Sequence, residues 1–298
     1  MQSLYDIEKI KSHFEKGGNI ISFMKENSDS NQTTIEQILM SYDFQAGSYI
    51  DFVKKNPDYI NQHSDNISKI INDLGVFNSV LEVGVGEATT FVPVLKKLAN
   101  IPQFQLGFDL SWSRLRHAMT YAEEYTLRDI NFFCANLFNI PLENNSIELV
   151  YTSHSVEPNG GKEKDALTEL LRITSKYLVL LEPSYHFGSE AAKERMRRHG
   201  YVTNLHQTAK DMGCQIIHYG LFESQYSNPL NPTELLIIKK NENSIHPSFI
   251  CPISRKELIR HNGEFYSKDG LFVYPEISGI PCFLAQNAVI ATKYTTFI

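Results

Sequence analysis

The chain has 298 residues, 42% of them hydrophobic and 21% charged. That is enough for one full domain with additions, and it excludes wholesale disorder. A formal net charge of −6 gives no general attraction to nucleic acid or anionic membrane, no run approaches the ~18 apolar residues of a membrane span, and the four cysteines form no paired framework. Met1 to Lys16 is a charged helical pattern without the apolar stretch of a signal peptide, so a cytoplasmic protein with reduced thiols is expected.

Ile7, Ile10, His13 and Phe14 fall on one helical face, and Ile35, Ile38 and Leu39 on another. The polar run Asn27 to Thr34 between them reads as a loop, with Thr33 or Thr34 capping the next helix. Ile67, Ile70, Ile71 and Leu74 share the face of a further helix, beginning near Tyr59. Val80 to Val83 then reads as a buried strand running into Gly84-Val85-Gly86 and the first turn of a helix, the form of a nucleotide-binding corner. Glycines there allow close backbone approach, and the helix opening presents free N–H groups. Dinucleotide folds want a small residue at the position held by Thr89, which counts against NAD or FAD.

Alternation continues through a helix at 91–98, a strand at 105–110, a helix at 113–125, a strand at 130–137 and a strand at 148–152. Asp109 ends the second strand, 109 − 84 = 25 residues past the first glycine, where an acidic side chain accepts hydrogen bonds from ribose hydroxyls. Helix 163–174, strand 177–182, a basic helix at 190–200, helix 205–212 and strands at 215–222 and 233–239 complete the pattern. Strand-end loops carry Ser153, His154, Glu157, Tyr185 and His186. Ligands in open α/β sheets bind outside the carboxyl ends of the strands, so His154 and Glu157 are candidates for base or substrate contact and Tyr185 and His186 for substrate contact. The basic helix reads as a solvated face, or as a captor of phosphate or carboxylate.

Glu82-x-Gly84-x-Gly86-x-Ala88 resembles the first motif of the class I S-adenosylmethionine-dependent methyltransferases, with Ala88 where glycine is frequent. The stretch Ala135 to Val150 resembles a later segment of the same family, with Asn136 replacing an aspartate. Tyr42-Asp43 through Tyr49 resembles the lid that precedes the core in small-molecule members. The resemblance implies a Rossmann-like α/β fold, a seven-stranded mostly parallel sheet with an N-terminal helical lid over residues 1–74 and a core over 75–240. It implies S-adenosylmethionine as cofactor, held by Tyr49, Glu82, Gly84, Gly86, Asp109 with Leu110, Asn136, Leu137 and Ser153. The Asn136 amide oxygen can still accept the adenine bond that aspartate would.

Residues 245–298, about the last fifth of the chain, resemble the small zinc-ribbon module of methyltransferase activator subunits. Zinc needs four ligands, and here Cys251 stands with Ser254, Ser267 and Gly270, so a metal-free β-rich module packed on the main domain is expected. The expected activity is methyl transfer to a hydroxyl, amine or carbon nucleophile of a small metabolite, a sugar or nucleotide-linked sugar among the candidates. An RNA or protein methyltransferase docking its substrate on the C-terminal module, and a non-catalytic S-adenosylmethionine-binding protein, are the alternatives.

Overall fold

The computed structural model describes residues 7–26, 34–222 and 224–298. Met1 to Asp6 and the predicted loop from Asn27 to Thr33 lie outside the described residues. Seven strands form the main sheet: β1 (Ser79–Val83), β2 (Phe104–Asp109), β3 (Ile130–Cys134), β4 (Ile147–Ser153), β5 (Thr174–Pro183), β6 (Gln215–Leu221) and β7 (Thr233–Lys239). Their order is β3-β2-β1-β4-β5-β7-β6, with β7 antiparallel to both of its neighbours and the other pairs parallel. This is a Rossmann-like α/β fold with a reversal between β1 and β4, where ligands of open α/β sheets bind.

Period-two alternation sends neighbouring side chains to opposite faces, and both faces are covered. Val80, Val179, Leu181, Leu235 and Ile237 join one apolar cluster with the helices α5 (Pro57–Leu74), α6 (Phe91–Lys97) and α7 (Trp112–Glu124). Leu81, Val83, Leu178, Leu180 and Leu236 join the other, under α8 (Glu163–Ile173) and α10 (Leu205–Asp211). Between those two helices in the chain lies α9 (Glu190–His199).

Four shorter helices precede α5: α1 (Ile7–Glu15), α2 (Ile20–Glu26), α3 (Ile35–Phe44) and α4 (Ser48–Lys55). Thr34 caps α3 in a reciprocal box with Gln37. Ile10, Ile20, Met24 and Met40 make a small core of their own. Asp43, at the end of α3, accepts from the Ser111 and Ser113 hydroxyls at 2.7 and 3.0 Å and from the Ser113 N–H at 3.2 Å. It thereby ties the N-terminal helices to the first turn of α7. The strand expected over 130–137 ends at Cys134, and Asn136 to Asn139 form a turn instead.

The C-terminal residues form a small antiparallel unit of β8 (Leu258–His261), β9 (Glu264–Ser267), β10 (Phe272–Ile277), β11 (Ile280–Pro281) and β12 (Val289–Ile290). Cys282 bridges Cys134 in parallel and Phe283 N–H donates to the Cys134 carbonyl at 2.9 Å, so this segment continues the β3 edge of the main sheet. The Cys251 sulfur is bonded to the Tyr274 hydroxyl at 3.3 Å and accepts the Ser254 N–H at 3.3 Å. Among the described residues no group of three or more His, Cys, Asp or Glu is placed to hold a metal ion, and no helix is long and apolar enough to cross a membrane.

Candidate active site

A cavity of about 550 Å³ opens at the carboxyl ends of β1, β2 and β4. Gly84 and Gly86 turn with φ of +65° and +55°, in the left-handed region that L side chains rarely enter. A Cβ on Gly84 would lie 2.3 Å from the Ser155 Cβ, so the first glycine makes room between the two strand ends. Asp109 accepts the Gly86 N–H at 3.1 Å and the Ser111 N–H at 2.9 Å, which fixes its carboxylate at the rim of the turn. Burial raises its pKa, and Arg114 together with these N–H groups pulls the other way. Glu82, wholly buried, accepts the Tyr151 hydroxyl at 2.7 Å, and burial pushes its carboxyl up to about 8.

Asn136 folds its side chain back, its Oδ1 accepting the Phe138 N–H at 3.0 Å. Asn136 lines the cavity alongside Leu137 and Leu110, and its amide oxygen keeps a second lone pair for a further bond. Glu87 reaches the other way: its carboxylate accepts the Gly47 and Ile50 N–H groups at 2.9 and 2.8 Å and so holds the start of α4. Arg114 is buried between the rings of Tyr42 and Tyr49, 4.6 and 4.9 Å from their centroids, and its Nε donates to the Tyr42 carbonyl at 3.0 Å.

At the far end β4 passes through Ser153 into His154, a non-glycine residue with φ of +57°. Three consecutive N–H groups, of Ser155, Val156 and Glu157, converge on the Glu182 carboxylate at 2.9 to 3.1 Å, which holds the strained turn in place. His154 is engaged on both ring nitrogens, Nδ1 with Glu157 at 2.6 Å and Nε2 with the Thr233 hydroxyl at 2.8 Å. Burial pulls its pKa down, but the hydrogen bond and charge of Glu157, with the charge of Glu182, leave it above the ordinary histidine value. Burial alone would raise Glu157; His154 outweighs it and holds the carboxyl below its usual range.

Of the residues expected from the sequence, Tyr49, Glu82, Gly84, Gly86, Asp109, Leu110, Asn136, Leu137, Ser153, His154 and Glu157 line this one cavity. Tyr185 and His186 do not. The loop after β5 turns toward α9, where the Tyr185 hydroxyl accepts from Arg197 at 2.5 Å, and both residues line a separate cavity of about 420 Å³ with His206, Tyr219 and Glu234. On the basic helix Lys193 pairs with Glu190 and Arg197 with Glu194, while Arg195 reaches the Tyr201 hydroxyl at 3.4 Å.

His63, Arg114, Tyr201, Asn231 and Thr233 line the main cavity without having been expected there. For His63 there was a signal, since it falls on the same helical face as Ile60 and Ile67. It lies 3.4 Å from the Ser153 hydroxyl, and burial, then the charge of His154, lowers its pKa to about 4.

The protein family described as "Methyltransferase domain" matches residues 80–176, about a third of the chain. No curated protein matches the sequence. Solved structures similar in backbone include the magnesium protoporphyrin IX methyltransferase of Synechocystis PCC 6803 with bound SAH, at 13% identity and a TM-score of 0.48, covering 79% of this chain and 100% of that one. The [4+2]-cyclase SpnF matches at 15% and 0.48, covering 60% and 82%, and a SAM-dependent methyltransferase of Methanosarcina mazei at 16% and 0.46, covering 58% and 98%. Residues 80–176 match a methyltransferase domain, which makes the chain an enzyme. The Asp109 carboxylate, set beside the glycine turn in the cavity lining, is a group that fits ribose hydroxyls at this end of the cavity.

Proposed function

We propose that the chain transfers a methyl group to a hydroxyl, amine or carbon nucleophile of a small molecule seated against the end of β4. The observation that carries this reading is that the glycine turn and the His154–Glu157 pair open into one cavity. In it Gly84, Gly86, Asp109, Asn136 and Leu137 would hold S-adenosylmethionine, with Glu82, Tyr49, Leu110 and Ser153 around them. The cofactor supplies an electrophilic methyl on a sulfonium, which needs little activation.

The protein's share is therefore positioning, exclusion of water and management of one proton. Glu157 fixes the ring and tautomer of His154 and favours its protonated form, so the imidazole is suited to take a proton from an acceptor of moderate acidity. Residues 1–74 serve as a lid region, 75–240 as the catalytic core and 245–298 as a docked module, the part that resembles a zinc ribbon in sequence.

Calorimetry tests the cofactor half. Wild-type protein should bind S-adenosylmethionine, and Asp109→Ala or Gly84→Leu should lose that binding; an unbinding wild type would overturn the reading. Release of S-adenosylhomocysteine with small acceptors then separates an enzyme from a mere binder.

A further inference from the structure

The half of the cavity away from the glycine turn has a chemistry of its own. Phe52 from α4, Tyr59 and His63 from α5, and Phe222 and Tyr226 after β6 form a continuous set of rings. Centroids are 5.5 Å apart for Phe52 and Tyr59, 5.7 Å for Tyr59 and His63, 5.8 Å for Tyr59 and Tyr226, and 5.5 Å for His63 and Phe222. Phe52 and Tyr226 remain 47% and 42% exposed, so these two rings of the lining stay open to a ligand.

Charge narrows the occupant further. Among the described lining residues the one Lys or Arg is Arg114, and it is already sandwiched between Tyr42 and Tyr49 beside the glycine turn. His63 is neutral above about pH 4. Four carboxyl side chains, Glu82, Glu87, Asp109 and Glu157, also line the cavity. Arg195, 3.4 Å from the Tyr201 hydroxyl, is not among the lining residues, so a phosphate or carboxylate on the acceptor would meet more carboxylates than cations along this lining, which disfavours a nucleotide-linked sugar.

Polar side chains line the cavity as well, Ser153, Tyr201, Asn231 and Thr233 among them. A protonated amine has no lone pair with which to attack, and the face of Tyr59 toward His63 is already covered, the two rings lying 7° from parallel.

We propose that the acceptor is an uncharged, flat aromatic compound carrying a phenolic hydroxyl, seated on the Phe52–Tyr59–Tyr226 rings with its hydroxyl toward Thr233 and His154. This deepens the proposed function and rests on it. The phenolic oxygen forms the new O–CH3 bond, the electron pair of the broken S–CH3 bond stays on sulfur, and the phenolic proton goes to His154 Nε2 through the Thr233 hydroxyl. A phenol, with a pKa of about 10, lies within reach of a histidine base as an aliphatic alcohol does not.

Saturation-transfer NMR on the full chain tests this with 2-naphthol and, as the opposing probe, UDP-glucose, each with and without saturating S-adenosylhomocysteine. The expected result is transfer to 2-naphthol, weakened at least tenfold in Tyr226→Ala and Phe52→Ala, and none to UDP-glucose. Both replaced side chains are solvent-exposed, so folding should survive, and unchanged S-adenosylhomocysteine affinity by calorimetry verifies that. Binding of S-adenosylhomocysteine with 2-naphthol silent, or UDP-glucose bound in its place, overturns the acceptor class. Binding of 2-naphthol by a chain that ignores S-adenosylhomocysteine instead overturns the cofactor reading and leaves the acceptor site standing.

Discussion

Two residues that line the same cavity respond to pH for different reasons. His154 faces Glu157, Glu182 and Arg195, with His63 close enough to feel its charge, and Tyr201 touches the Glu157 end of the pair. Its pKa lies above 6.5, so the neutral form that can accept a proton is lost as pH falls through that value. The kcat/KM profile should therefore rise with pH with an inflection above 6.5. In His154→Gln that limb should vanish and the rate drop by roughly 10² or more; a wild-type limb preserved in the variant removes His154 as the base. Glu82 acts on stability instead. Its folded pKa of about 8 lies above the unfolded value of about 4.3, so its contribution is complete below the unfolded value and is lost as pH rises to about 8. Glu182 and Glu234, each raised by burial to about 7, act in the same sense. Glu82→Gln retains an acceptor for the Tyr151 hydroxyl and should gain about 2 to 3 kcal/mol on wild type between pH 6 and 8, at ~1.4 kcal/mol per pH unit, in urea unfolding. Glu82, Gly84, Gly86 and Asp109 were legible in the sequence because a strand and its turn fix their spacing. Arg114 was not, since its partners Tyr42 and Tyr49 lie more than sixty positions away.

Among the elements, α4 shows how a helix can start without a local signal. Gly47 at its N-cap has φ of +98° and no side-chain oxygen to offer, so nothing between Gln45 and Ser48 announces a helix over Ser48–Lys55. The cap comes from Glu87, forty residues on, whose carboxylate takes the Gly47 and Ile50 N–H groups and also favours the positive end of the helix. Glu87→Ala should free both amides, cost about 1–2 kcal/mol, and speed hydrogen exchange at positions 47 and 50. Because α4 carries Tyr49 and Phe52, binding in the cavity should weaken with it. Glu87→Gln, which keeps one acceptor, should fall between; unchanged protection in the alanine variant would show that α4 is held by packing alone. By contrast α3 was legible, because Thr34 and Gln37 cap it from within.

At the scale of the molecule, sheet order followed from the alternation of apolar runs and helical patterns, since short right-handed connections leave few other arrangements. The docking of the C-terminal unit could not be read that way, because its contacts with the core join residues more than eighty positions apart. Phe283 is the centre of that contact. Buried to 1% exposure, its ring lies 4.9 Å from Phe249, 5.0 Å from Phe265, 5.8 Å from Tyr274 and 6.1 Å from Phe133 on β3, while its N–H extends the edge of the main sheet. Asn139 Nδ2 donates to the Pro252 carbonyl at 2.8 Å, and Arg255 approaches Glu169 at 3.6 Å. Shared apolar packing of this kind makes the two parts one cooperative unit rather than a domain with an appendage. Phe283→Ala should therefore lower the stability of the whole chain by about 3–5 kcal/mol, with a single urea transition and an unchanged m-value. Two separate transitions, with only the C-terminal unit affected, would mean that the core folds without it and that the β3 edge tolerates exposure.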